Sequence, residues 1–171
     1  DLDYIVRYTN LPWLIIQNPG EADDGLFVRG IDGEPICWDT GTNQAADARL
    51  AGVSPALTGT YTIENGQKAV PAFALMAERY LDDSYSPEVA EKETGVPAQT
   101  IRRVAAEIAD VAFKQQIEID QPWTDWAGRQ HDKMIGRPVS MHAMRGISAH
   151  SNGFHTCRAI HLLQILLGSI D

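Results

Sequence analysis

Histidine and cysteine side chains cluster in the last quarter of the sequence, at spacings that could support chemistry. Cys157 and His161 are four residues apart, so a helix places them on one face, and His150 and His155 lie just upstream. Zinc accepts such ligands. However, no second ligand pair occurs elsewhere in the sequence, and a Cys and a His in so apolar a helix are more often core residues. We therefore predict no metal ligands.

The same side chains could also serve as a nucleophile and its base. Cys157 lies near His155 and His161, and Ser148 lies near His150. A hydrolase also needs an orienting third group and an oxyanion hole, and the sequence has no GxSxG-like turn to build them. A small Cys or Ser hydrolase remains an alternative, and we predict no catalytic residue in this chain.

The segment RGISAHSNG, residues 145–153, joins a predicted short strand over residues 139–144 to a predicted apolar helix. A loop between strand and helix brings free backbone N–H groups to the positive end of the helix dipole, which favours an anionic or polar cofactor. The segment matches neither the P-loop nor the GxGxxG pattern. A purely structural turn, with Asn or Ser capping the helix, is the other interpretation.

The elements around this segment predict an α/β fold. Two hairpins are expected, one around Asp32 and Gly33 and one around residues 64–66, because Asp-Gly and Asn-Gly favour the positive φ angles of tight turns. Residues 39–60 lack periodicity and read as an irregular surface segment. Helices are expected from about residue 70 to 80, from 87 to 94 and after Pro97.

The helix after Pro97 has one apolar face that we expect to be buried. Its members are Ile101, Val104, Ala105, Ile108 and Ala112. From the residues alone, we predict one α/β domain with irregular, hairpin-bearing segments. Its parts are an irregular and hairpin segment (1–68), a helical segment (69–114) and a strand-loop-helix cofactor segment (115–171).

Composition excludes several classes of function. The net charge is −9 and no Lys/Arg cluster is present, which argues against nucleic-acid binding. Cys37 and Cys157 lie far apart and form no CxxC pattern, so neither a disulfide framework nor an iron–sulfur signature is expected within the chain. No apolar run reaches the roughly 18 residues of a membrane helix, and no signal peptide is recognisable at the start. The sequence also lacks an initiator methionine, as expected of a processed chain or of a piece of something larger.

Two segments resemble the molybdenum enzymes of the dimethyl sulfoxide reductase family. The first is MRGISAHSNGFHTCRAIHLLQILLGSID, which is similar to that family's H-x-N-G loop followed by RAI-x-x-L-x-x-LLG-x-ID. The second is YSPEVAEKETGVPAQTIRRVAAEIA, residues 85–109, and the two occur in the family's order. The matching residues of the first are His150 to Gly153, Arg158 to Ile160, Leu166 to Gly168, and Ile170 with Asp171.

The resemblance implies a partial Rossmann-like layered domain, as a single internal fragment of a larger multidomain catalytic subunit. That subunit would bind molybdenum bis(molybdopterin guanine dinucleotide) for oxygen-atom or electron transfer. The fragment alone should be inactive, with any iron–sulfur cluster outside it. Within that family, the sequence looks closest to enzymes acting on sulfur oxyanions, such as sulfite dehydrogenase or thiosulfate and polysulfide reductase. By motif position, the cofactor-binding residues would be Arg145, Gly146, Ile147, Ser148, Ala149, His150 and Asn152.

The same resemblance implies partners. These are the remainder of the large subunit, a membrane quinone anchor and an iron–sulfur electron-transfer subunit, on the cytoplasmic or periplasmic face of a bacterial membrane complex, with the cytoplasmic face preferred. A freestanding, non-catalytic ligand-binding or interaction module is the alternative. If the chain is a fragment, we expect an exposed apolar patch or self-association.

Overall fold

The computed structural model describes residues 1–125 and 128–169, which are of mixed α and β structure, as predicted. The chain divides into two compact units, Asp3–Val89 and the chain from Ala90 onward together with Asp1–Leu2. The helices are α1 (Leu2–Tyr8), α2 (Ala72–Tyr80), α3 (Pro87–Thr94), α4 (Ala98–Lys114), α5 (Arg145–Ser148) and α6 (Gly153–Leu167). The strands are β1 (Leu14–Gln17), β2 (Ile36–Asp39), β3 (Gln44–Asp47), β4 (Tyr61–Thr62), β5 (Lys68–Pro71), β6 (Ile117–Ile119), β7 (Trp123–Thr124), β8 (Gln130–His131) and β9 (Met134–Gly136).

The unit Asp3–Val89 is built on a three-stranded antiparallel sheet in the order β1-β5-β4. The hairpin β4–β5 turns at Gly66, whose φ is 83°, so the predicted second hairpin is confirmed. The sheet buries a core in which each member is at most 9% exposed, and Trp38 stacks on Tyr61 with ring centroids 4.5 Å apart. The core members are Leu14, Val28, Ile63 and Ala69.

The first predicted hairpin forms only as a turn. Gly33 adopts φ 79°, as expected, but the residues on either side make a single bridge between Arg29 and Pro35. Proline has no N–H to donate and interrupts a ladder. Strand β2 instead pairs with β3, which lies in the segment 39–60 that we predicted to be irregular.

The Asp39 carboxylate holds the loop that follows β2. Its Oδ1 accepts hydrogen bonds from the N–H groups of Ser54 (2.9 Å) and Gly41 (3.1 Å), and its Oδ2 accepts from the Thr42 N–H (3.2 Å) and Oγ1 (2.8 Å). The hydrogen bond from the Ser54 N–H, followed by those from Thr42 and Gly41, lowers the pKa of Asp39. This buried side chain therefore connects residues 40–42 to Ser54.

We expect Asp39→Ala to lower the melting temperature of this unit by about 4–8 °C, because several N–H groups lose their acceptor. The folded pKa lies below the ordinary value of 3.8. The carboxylate therefore contributes stability above about pH 4, and this contribution is lost as the pH falls through the folded pKa. Thermal melts between pH 3 and 7 measure both effects. Glu64→Ala, which removes an exposed carboxylate of the same unit, is the control, and equal melting curves for the two variants would refute the role of Asp39.

The second unit combines α4, α5 and α6 with two small antiparallel pairs, β6–β9 and β7–β8. Helices α2, α3 and α4 lie where the sequence predicted them. Every strand pair in the described ranges is antiparallel. A Rossmann-like layer is built from parallel strands. The described residues therefore confirm the mixed α/β class, but they do not show a Rossmann-like layer. Within residues 1–125 and 128–169, no helix combines the length and apolar character needed to cross a membrane.

Two predictions for this unit are wrong. The strand expected over residues 139–144 does not form, because these residues pair with no other strand in the described part of the chain. A strand requires a neighbour to satisfy its N–H and C=O groups. The apolar face expected to be buried on α4 is largely open: Ala112 is fully buried, whereas Val104 is 40% exposed.

Candidate cofactor-binding loop

The predicted site residues lie on one surface segment of the second unit, between the irregular residues 139–144 and α6. The single helical turn α5 contains the first four of them, and residues 149–152 connect it to α6. Ile147 is half-buried. The exposed members are Arg145, Gly146, Ser148, Ala149, His150 and Asn152.

A close approach at Gly153 fixes the geometry of this segment. A Cβ atom built on Gly153 would lie 2.2 Å from the carbonyl oxygen of Ser148 and 2.5 Å from its carbonyl carbon. The Gly153 N–H donates to the carbonyl of His150 at 2.9 Å. Gly153 is therefore a packing residue, in line with the structural interpretation of the turn. Gly146 differs, because no atom lies within 4 Å of a Cβ built there.

Two side chains on this segment can donate hydrogen bonds to an anion. Nδ1 of His150 accepts the N–H of Asn152 at 3.2 Å, so in the neutral ring the proton resides on Nε2. Arg145 is exposed and its side chain makes no ion pair with any residue of the described ranges. A guanidinium and an imidazole N–H on one exposed loop, beside an open glycine, suit an oxyanion such as a pyrophosphate.

Asn152 does not serve as a conventional helix cap. It occupies the N-cap position of α6, but its side chain makes no capping hydrogen bond. Its carbonyl accepts the N–H of Thr156 at 3.0 Å and the Thr156 Oγ1 at 3.1 Å. The Asn152 backbone therefore closes the first turn, and the exposed amide does not contribute to capping.

The contacts give no support to a nucleophile–base pair. Oγ of Ser148 donates to the carbonyl of Arg145 at 3.0 Å. In the described part of the chain, neither Ser148 nor Cys157 hydrogen-bonds to a histidine. The described part of the chain also contains no group of three or more His, Cys, Asp or Glu side chains placed to hold a metal ion.

The two cysteines should differ strongly in reactivity. Cys37 lies fully buried in β2, and burial, assisted by the nearby Asp39 carboxylate, raises its pKa to about 11. Cys157 is half-buried. We expect iodoacetamide at pH 8 to modify Cys157 alone in the folded chain, and both thiols after denaturation. Peptide mass mapping checks this, and rapid modification of Cys37 in the folded chain would contradict its burial.

A second polar cluster lies on the β7–β8 hairpin, and the sequence analysis missed it. The side chain of Asp125 is only 6% exposed. It accepts hydrogen bonds from the Arg129 N–H (2.9 Å), from the Arg129 Nε (2.6 Å) and from the His131 Nε2 (3.1 Å). Trp123 stacks on His131 with ring centroids 4.7 Å apart.

Opposing effects act on the Asp125 carboxyl. Burial raises its pKa, but the hydrogen bonds from the Arg129 backbone, from His131 and from the Arg129 side chain outweigh burial and hold the pKa well below its usual range. The carboxylate therefore fixes the orientation of His131. In the sequence, Arg129 and His131 lie two residues apart after Gly128, and residues two apart in a strand share a face. This signal was weak because the strands β7 and β8 are short. Trp126, which follows Asp125 in the sequence, lies outside the described residues.

Comparison with known proteins identifies a relative that matches along the whole chain. The chain is 42% identical over 180 residues to a protein of Allochromatium vinosum that is named as the A subunit of sulfite dehydrogenase. The alignment covers 100% of this chain and 18% of that relative, so the chain spans less than a fifth of the relative's length. No family model matches the chain.

These comparisons correct the family prediction. The expected assignment to a fragment of a dimethyl sulfoxide reductase family large subunit is wrong, because no family model matches and the relative found is the A subunit of a sulfite dehydrogenase. Ile170 and Asp171, which carried the end of that resemblance, lie outside the described residues. The expectation of a sulfur oxyanion as substrate agrees with the relative's name. The chain is thus similar throughout its length to one portion of a protein named for sulfite oxidation.

Proposed function

We propose that this chain is part of an oxidoreductase subunit that oxidises sulfite or a related sulfur oxyanion. The observation that carries the proposal is the 42% identity, along the whole chain, to the A subunit of a sulfite dehydrogenase. Because the chain spans 18% of that relative, the activity belongs to the complete subunit, and the role of this portion within it is a separate question.

The role we propose for this portion is cofactor binding through residues 145–152. The cofactor class is a molybdenum pterin dinucleotide, which when bound supplies the two-electron, oxygen-atom chemistry of the reaction. The donor set supports this assignment: Arg145 offers a guanidinium, His150 offers its Nε2–H, and the open surface at Gly146 permits close approach of the backbone. These residues bind and orient the anionic part of the cofactor.

The proposal also covers the electron-transfer partners of the complete subunit. Oxidation of sulfite releases two electrons, which must pass to another redox group. We propose that this is an iron–sulfur subunit connected to a membrane quinone anchor. The subunit designation in the relative's name supports an assembly of several chains.

The test replaces both donors, Arg145→Ala with His150→Ala, in the gene product of native length. We expect bound molybdenum and pterin, measured by mass spectrometry and by fluorescence after oxidation, to fall on the order of tenfold or more, because each charged hydrogen bond contributes about 1.5–3 kcal/mol. Arg103→Ala is the matched control, since it removes an exposed arginine from α4.

Cofactor content and sulfite oxidation are measured separately. Full cofactor content in the double variant would reject the binding role of the loop, even if the purified protein oxidises sulfite. A wild-type protein that binds the cofactor but does not respond to sulfite would reject the substrate and leave the binding role intact.

A further inference from the structure

The methionine side chains of the chain differ in how far they are open to solvent. Met144 is 68% exposed, whereas Met134 is 38% exposed. The other two methionines, Met76 and Met141, are half-buried. A thioether is oxidised only where the oxidant can reach the sulfur, so exposure decides which methionine reacts first. Met144 is therefore the methionine of this chain that is most open to oxidation.

A histidine lies directly beside this sulfur atom. Nε2 of His142 is 3.1 Å from Sδ of Met144. A thioether has no proton to donate and is only a weak acceptor, so Nε2 carries the proton in this contact. An oxygen atom bound to the sulfur would be a much stronger acceptor for the same N–H group, because a sulfoxide is polar where a thioether is not.

Met144 also directly precedes the cofactor-binding segment, residues 145–152. It is the N-cap residue of α5, and its carbonyl accepts the N–H of Ile147 at 3.1 Å. The next residue is Arg145, whose guanidinium is one of the two donors assigned to the anionic part of the cofactor. A chemical change in the Met144 side chain therefore acts at the start of that segment.

We propose that Met144 is a reversible oxidation site. A peroxide transfers one oxygen atom to the sulfur: the O–O bond breaks, an S–O bond forms, and the second peroxide oxygen leaves as water. The sulfur loses two electrons and the peroxide gains them. The sulfoxide oxygen then accepts the Nε2–H of His142, which holds it at the start of α5. Methionine sulfoxide reductases restore the thioether.

Oxidation at this position lowers the loading of the cofactor, a consequence that rests on the proposed function of residues 145–152. The sulfoxide places an acceptor oxygen one residue from Arg145, where it competes with the anionic group of the cofactor for the guanidinium. A bound cofactor covers this segment in turn. The cofactor-free protein is therefore the form in which peroxide reaches Met144.

Peptide mass analysis tests the modification site itself. The gene product of native length is produced without molybdate and treated with hydrogen peroxide. We expect one oxygen atom to be added at Met144 on the order of fivefold faster than at Met134. His142→Phe keeps a ring but has no N–H, so we expect it to slow oxidation at Met144 about threefold. Equal rates at the two methionines, or an unchanged rate in His142→Phe, would overturn the proposal.

Reloading of the same samples with isolated molybdenum pterin cofactor tests the consequence. After peroxide treatment, we expect the wild-type protein to take up about threefold less molybdenum, and Met144→Leu to take up as much as before treatment. Met134→Leu is the matched control and should behave as the wild type. An equal loss in Met144→Leu would assign the effect to another residue, such as Cys157. A protein that takes up no cofactor even before treatment would reject the proposed function, and the mass analysis would still decide whether Met144 is the oxidation site.

Discussion

Gly153→Ala is expected to destabilise the packing of α5 against α6 by about 1–3 kcal/mol. The added Cβ would lie 2.2 Å from the Ser148 carbonyl oxygen, 2.5 Å from its carbonyl carbon and 2.7 Å from its Cα. All three are backbone atoms, so no side-chain rotation relieves the contact. The two helices must separate, and the loop between them must change. Urea unfolding measures the change in free energy.

Gly146→Ala is the matched control for this substitution. Gly146 lies in α5, has no atom within 4 Å of an added Cβ and does not have a positive φ. Alanine is a better helix former than glycine by about 0.5–1 kcal/mol. We therefore expect Gly146→Ala to be neutral or slightly stabilising. Equal destabilisation by the two substitutions would refute the close approach at Gly153.

Asp125→Asn should loosen the β7–β8 hairpin while the shape of the side chain is preserved. The amide offers one acceptor oxygen in place of two, and Arg129 and His131 lose their anionic partner. We expect trypsin to cleave after Arg129 roughly tenfold faster, because the hydrogen bonds that hold this residue to a charged acceptor are weakened. Timed digestion followed by peptide mass analysis gives the rate.

The control for this substitution lies on the same hairpin. Asp132→Asn removes the same charge from an exposed side chain, so cleavage after Arg129 should stay at the wild-type rate. If Asp125→Asn and Asp132→Asn accelerate cleavage equally, the effect is one of net charge, and the buried carboxylate does not fix the hairpin.

Helices α2, α3, α4 and α6 could be predicted because their signals are local, whereas the helical turn α5 lies in a segment that we predicted as a loop. Pro97 and the periodic apolar residues that follow it locate α4, and Gly168, with φ 66°, ends α6. The turn at Gly66 was predictable for the same reason, because Asn-Gly favours its backbone conformation. In each case the physical cause lies within a few residues of the element it determines.

The strands could not be predicted as reliably, because strand pairing depends on distant residues. The apolar run at residues 139–144 resembles a strand but has no hydrogen-bonding neighbour in the described part of the chain, whereas β3 forms in an irregular-looking segment because β2 pairs with it. The exposure of Val104 has a similar origin. Periodicity shows that a helix face is suited to burial, but it does not show what covers that face.

The site was predictable as a segment and not as a set of contacts. Residues 145–152 are contiguous, so sequence alone could group them. The hydrogen bond between Asn152 and Nδ1 of His150, which places the proton on Nε2, required coordinates. So did the distinction between Gly153, which is a packing residue, and Gly146, which is open.

One measurement tests the central claim most directly: sulfite-dependent reduction of an artificial electron acceptor by the purified gene product of native length, with its molybdenum content determined on the same sample. Sulfite and water give sulfate, two protons and two electrons, and the acceptor takes the electrons. We predict reduction that requires sulfite, in a protein that contains stoichiometric molybdenum. A folded product that contains no molybdenum and reduces no acceptor in the presence of sulfite would contradict the account.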